Sequence, residues 1–159
     1  MSFVGIALGA IALSVSANQW GKKKVYLTSL TIGVFSHLVL YVFPTYKLSL
    51  VFLFLLGISV FGRLTTGYVL ALDMISKTHQ KTLGTVAFSL ESFTIFLYGF
   101  YYYLGGKNAI FFVIMSLGFV TAALLIGFFL PESPVELFIQ KRWGDLKSTL
   151  KYMQRYNLG

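Results

Sequence analysis

A chain of 159 residues with 57% hydrophobic and only 11% charged side chains, at a mean hydropathy of +0.77, is too apolar for a water-soluble domain, where about a quarter of residues are charged. Cysteine is absent, which excludes disulfides and thiolate metal sites. The net charge of +8 gathers at the ends of apolar runs, so it points to lipid headgroups and membrane topology and away from nucleic acid.

The apolar runs fall near residues 2–18, 25–43, 48–75, 83–104 and 108–130. A helical span needs roughly 20 residues at about 1.5 Å each, so every run is read as a crossing. The first is short, lacks a preceding basic stretch and carries no small-residue cleavage signature, so it is expected to be a retained helix and not a leader. The third is long and should tilt or protrude. Links between runs are short, which forces neighbouring helices to alternate in direction. The predicted fold class is therefore an all-α integral membrane protein. It has about five transmembrane helices in a bundle over 1–130, and an amphipathic C-terminal tail over 131–159.

Basic residues sort by side. Lys22, Lys23 and Lys24 precede the second run, Lys77 and Lys81 precede the fourth, and Lys141, Arg142, Lys147, Lys151 and Arg155 lie in the tail. All of these fall on one membrane face, against Lys47 and Lys107 on the other. The excess of Lys and Arg predicts a cytoplasmic face, or a matrix face in a mitochondrial inner membrane.

The tail opens with Pro131-Glu132-Ser133-Pro134. Ser133 fits an N-cap, Pro134 the first helical position and Glu136 the third. Leu137, Phe138, Trp143, Leu146, Leu150 and Met153 recur at about three or four residues, which predicts an apolar stripe beside a basic face, suited to the membrane interface. Gly144 is expected to break this helix in two, with Asp145 near the second start.

Two ionisable residues fall inside spans. Arg63 and Glu91 lie about 18 Å and about 14 Å from the same membrane face at 1.5 Å per residue, within reach of one long side chain. They are predicted to form either a buried ion pair or part of a substrate site. Asp73 is expected to pair with Lys77 one turn on. His37 reads as a hydrogen-bonded histidine inside a span, His79 as a solvated one. Tyr101, Tyr102 and Tyr103 read as interfacial aromatics. No catalytic motif and no metal-ligand set is present, and no cofactor is expected.

Two motifs carry a family resemblance. The loop after the first run reads Ser14-x-x-x-Asn18-Gln19-Trp20-Gly21-Lys22-Lys23, and the bundle ends in Pro131-Glu132-Ser133-Pro134-Val135-Glu136-Leu137. Together with the charge asymmetry, these resemble the N-terminal half of a major facilitator superfamily transporter, nearest its sugar-porter and organic-cation groups. On that template the chain covers the second to sixth helices, without the first helix or the C-terminal half. The resemblance implies that Asp73 is the acid that meets the basic loop. It also marks departures: the loop acid is Asn18, the fourth-helix arginine is Leu53, and the tail arginine is Val135.

Facilitators of this kind bind substrate at mid-membrane between two halves that rock against each other. Half a bundle cannot do that alone. The expected function is a non-catalytic accessory subunit of a larger membrane complex, with respiratory or other energy-converting complexes as the model. Other membrane subunits and anionic lipids would be its partners. The competing reading is half of a split transporter for organic ions or sugars, completed by a second chain or a dimer.

Overall fold

A computed structural model describes residues 1–43, 45–106 and 108–157; the side chains of residues 109 and 155–157 fall outside the described set, as does Lys107. The chain folds as α1 (Ser2–Trp20), α2 (Lys22–Val42), α3 (Tyr46–Phe61), a π-helical turn (Gly62–Thr66), α4 (Gly67–Met74), α5 (Gln80–Tyr103), α6 (Ala109–Phe129), α7 (Pro134–Ile139) and α8 (Trp143–Asn157). No strand occurs among the described residues. Among the described residues, five helical stretches are long and apolar enough to cross a membrane, with α3, the π turn and α4 acting as one span of 29 residues. At about 1.5 Å per residue that span is longer than the ~30 Å hydrocarbon layer and must tilt or protrude. The fold class is the all-α membrane architecture that the apolar runs predict.

Local chemistry sets the joints. Gly21 alone separates α1 from α2, at φ 99°, a backbone state that side-chain-bearing residues avoid. Asn108 caps α6 by accepting a hydrogen bond from the Ile110 N–H at 3.1 Å. Ser133 caps α7 by accepting from the Glu136 N–H at 3.3 Å, with Pro134 at the first position, as the tail pattern predicts.

Helices in lipid gain little from hydrophobic burial against one another, so close backbone packing has to hold them. Gly5 and Gly9 of α1 lie against Phe54, Gly57 and Ile58 of α3, so close that a Cβ on Gly5 would run into the Phe54 carbonyl. α3 of the same chain is thus the packing partner of these two glycines. α2 is central. It meets α3 through Ser59, whose hydroxyl donates to the Ser29 carbonyl at 2.7 Å, and meets α6 near Gly33, which faces Val120. His37 spans the same joint, with Nδ1 2.8 Å from the Gly33 carbonyl and Nε2 2.8 Å from the Ser116 hydroxyl.

α5 stands apart. Its one buried residue is Gly84, which lies against Tyr68 of α4. At the other end Tyr98 packs at a tilt on Phe112 at 4.2 Å between ring centroids, and Tyr101 packs edge-to-face with Phe112 at 4.7 Å. The two tyrosines therefore pack between helices, while Tyr103 is 85% exposed.

The tail corrects one expectation. Gly144 does not break the helix; it lies in the first turn of α8. The break is at Lys141, at φ 58°. Arg142 N–H donates to the Leu137 carbonyl at 3.0 Å and Lys141 N–H to the Phe138 carbonyl at 3.1 Å. This is the left-handed closure that ordinarily takes glycine at the Lys141 position. α7 docks by burying Leu137. Tyr152 and Met153 of α8 roof a cleft of about 420 Å³ over Met74, Ile126 and Phe129, and Trp143, Lys147, Leu150 and Lys151 are exposed.

Candidate functional site

The first constellation sits at the basic end of the bundle. Lys22 Nζ lies 2.6 Å from Asp73 Oδ2, and the Ser133 hydroxyl donates to the same oxygen at 2.6 Å. Glu136 Oε2 accepts from the Lys22 backbone N–H at 3.0 Å, and its carboxylate fills the space where a Cβ on Gly21 would be. Gln140 donates to Glu136 Oε1 at 3.0 Å. Three distant stretches are thereby knotted together: the Gly21 joint with the start of α2, the end of α4 and the Pro-Glu-Ser-Pro corner. Lys23 Nζ reaches the Phe128 carbonyl at 3.4 Å. Asn18 lies exposed in the last turn of α1, with no side-chain hydrogen bond among the described residues.

The expected Asp73–Lys77 pair does not form. α4 ends at Met74, and Ile75 is extended at φ −106° and ψ 143°, so Lys77 is no longer one helical turn from Asp73. Lys22 takes its place. Outside the membrane, Arg142 bonds Glu132 at 2.9 Å and Asp145 at 2.6 Å, which braces the α7–α8 corner. The hydrogen bond to Asp145, together with the charges of Glu132 and Asp145, raises the Arg142 guanidinium above its usual value.

The second constellation lies inside the membrane. Arg63 belongs to the π turn, where Gly67 N–H is shared between the Arg63 and Leu64 carbonyls. Gly62 and Gly67 bracket the turn and admit Ser29 and Tyr26 of α2. Such widened turns recur at functional sites because they re-aim the side chains that follow. Arg63 lines a cavity of about 600 Å³ with Thr94, Tyr98 and Tyr101 of α5 and Phe112 and Ser116 of α6. Glu91 lines a separate cavity of about 290 Å³ with Leu64, Thr65, Tyr68, Ala87 and Phe88. Arg63 and Glu91 do not form the expected ion pair, and neither has a hydrogen bond or salt bridge among the described residues. The physical reason is that α5 is held off the third span between its two ends.

Sequence reasoning missed the π turn and the reach of Glu136 to the first loop. The glycine bracket Gly62/Gly67 was the available trace of the turn. Nothing local marks Glu136, because its partner is 114 residues away in the chain.

No family model matches the chain. It is 26% identical over 157 residues to "Solute carrier family 22 member 2" of Mus musculus, covering 97% of this chain and 28% of that protein. The Homo sapiens protein of the same name is 24% identical over 157 residues, at 97% and 28% coverage. "Solute carrier family 22 member 15" of Xenopus tropicalis is 25% identical over 158 residues, at 98% and 29%. The chain thus spans less than a third of the length of the curated relatives it matches. These likenesses support a major facilitator-like relationship along nearly its whole length, and the relatives are solute carriers, not enzymes.

Proposed function

We propose that this transporter-derived chain, similar to the N-terminal half of a major facilitator transporter, is a non-catalytic subunit that works inside a larger membrane assembly. The observation that carries the reading is α5, a membrane span with a single buried residue, Gly84. A span so poorly packed in lipid calls for a neighbour. Native electrophoresis in mild detergent, followed by mass spectrometry, tests the reading. A defined band far above 17.8 kDa is expected, with the same partners on each purification. A monodisperse lone chain that moves solute in liposomes overturns it.

The intact Lys22–Asp73–Ser133 knot favours a second reading, half of a split transporter for organic ions or sugars. It requires a partner with the remaining helices and uptake that fails in Arg63→Ala and Glu91→Ala variants. Exposed Lys147 and Lys151 beside Trp143 and Leu150 suit an anionic lipid surface. Loss of anionic lipid from the purified chain in Lys147→Glu/Lys151→Glu, read by native mass spectrometry, is the expected result. A mitochondrial inner membrane rests on the type of subunit alone, and organelle fractionation of the tagged chain tests it. The Lys and Arg excess supports a cytoplasmic or matrix side for the basic end.

A further inference from the structure

α5 is anchored at both ends and gapped in between. Gly84 touches Tyr68 at one end, and Tyr98 and Tyr101 pack on Phe112 at the other. Ala87, Glu91, Thr94, Tyr98 and Tyr101 recur every three or four residues, so they share one face of α5. That face lines both intramembrane cavities, of about 290 Å³ and about 600 Å³. From Ala87 to Tyr101 the α5 face that borders the two cavities, called the groove below, runs roughly 21 Å at 1.5 Å per residue, about two-thirds of the hydrocarbon thickness.

The other half of the bundle shows how such a space is filled. There α3 wedges against α1, glycine on glycine, and against α2 through Ser59 on Ser29 and Gly33. Among the described residues nothing wedges between α5 and α6 below their aromatic end. The two cavities follow one another along this face of α5; their walls are mainly Leu, Phe, Tyr and Met, with Arg63 as the one cation in the larger and Glu91 as the one carboxylate in the smaller. An arginine at this depth is costly unless an anion or water meets it, and no carboxylate among the described residues does.

We infer that this groove receives a transmembrane helix of a second polypeptide, and that an Asp or Glu on that helix pairs with Arg63. The inference rests on the reading that the chain works within an assembly, and it names the chemistry of the contact.

The test compares the tagged wild-type chain with Arg63→Gln and Arg63→Lys in the native membrane, reading the assembled fraction by native electrophoresis. Arg63→Gln is expected to cut that fraction by about tenfold or more, as removal of one partner of a buried charge pair does, while Arg63→Lys retains most of it. The chain purified alone is expected to keep or raise its thermal midpoint in Arg63→Gln, because an uncompensated charge is gone. Because the chain has no cysteine, a photo-crosslinker can be placed on Thr94→Cys in the groove and on Phe96→Cys on the opposite face. A crosslink from the first position only, to an apolar segment that contains an acid, supports the inference.

If Arg63→Gln fails to fold, the crosslink decides: a segment without an acid overturns the inference. Normal assembly of Arg63→Gln overturns it while leaving the assembly reading intact, whereas a wild-type chain that runs alone overturns both. Normal assembly of the double reversal Arg63→Glu/Glu91→Arg means the two residues pair with each other, and overturns it too. So does stabilisation of the isolated chain by benzoate that is lost in Arg63→Gln while assembly is unchanged, which marks a small-acid site. Detection of the native product as a longer polypeptide that supplies the helix itself also overturns it.

Discussion

Asp73 shows what one residue does here. Its carboxylate oxygen takes both the Lys22 ammonium and the Ser133 hydroxyl at 2.6 Å, and the side chain is mostly buried. Asp73→Asn is expected to cost about 2 kcal/mol, in the range for hydrogen bonds to a charged group, read as a lower thermal midpoint in detergent. The same variant should free the tail to proteases at the Pro131 corner. Gly57 makes the complementary case for shape. A Cβ there meets the Ser2 carbonyl and lies 3.0 Å from the Ile6 nitrogen, both rigid backbone. Gly57→Ala is expected to push α1 from α3 and cost about 1–3 kcal/mol. Gly118→Ala, where a Cβ meets nothing within 4 Å, should cause no loss of stability in the same assay.

At the scale of elements, the tail and α5 behave differently from what their sequences suggest. Gly144 looks like a helix break, yet it sits inside α8, and the left-handed residue is Lys141. Gly144→Ala is therefore expected to stabilise α8 by up to about 1 kcal/mol. Lys141→Gly should stabilise the corner by about 1 kcal/mol, because it relieves the steric cost of φ > 0. Were Gly144 the break, thermal melts of the first variant would shift downward instead. For α5, the gap predicts loose placement. Spin labels at Leu64→Cys and Ala87→Cys, across the smaller cavity, are expected to give a broad distance distribution in the isolated chain. The distribution should narrow once a partner fills the groove.

For the whole molecule, existence and class of the elements were legible in sequence, while the joints between them were not. Runs of apolar residues near 20 long can only be helices in lipid, since every backbone polar group must be satisfied within the segment. The Ser133 cap was equally plain, because its partner is three residues away. By contrast, Asp73 finds Lys22 across 51 residues and Ser133 across 60, and periodicity carries no record of such distances. The proposed Arg63–Glu91 pair failed for the same reason: matched depth along two helices does not make their faces meet. Sequence alone determined an all-α bundle of five spans with its positive charge gathered at one end, because hydropathy and charge are properties of the residues themselves. Only the tertiary structure decided that α1 and α3 lock through glycines, that the first loop, α4 and the tail corner share one carboxylate, and that α5 stands off from Arg63. Those outcomes depend on which helix faces come within contact distance, and that is settled by packing among all the spans at once.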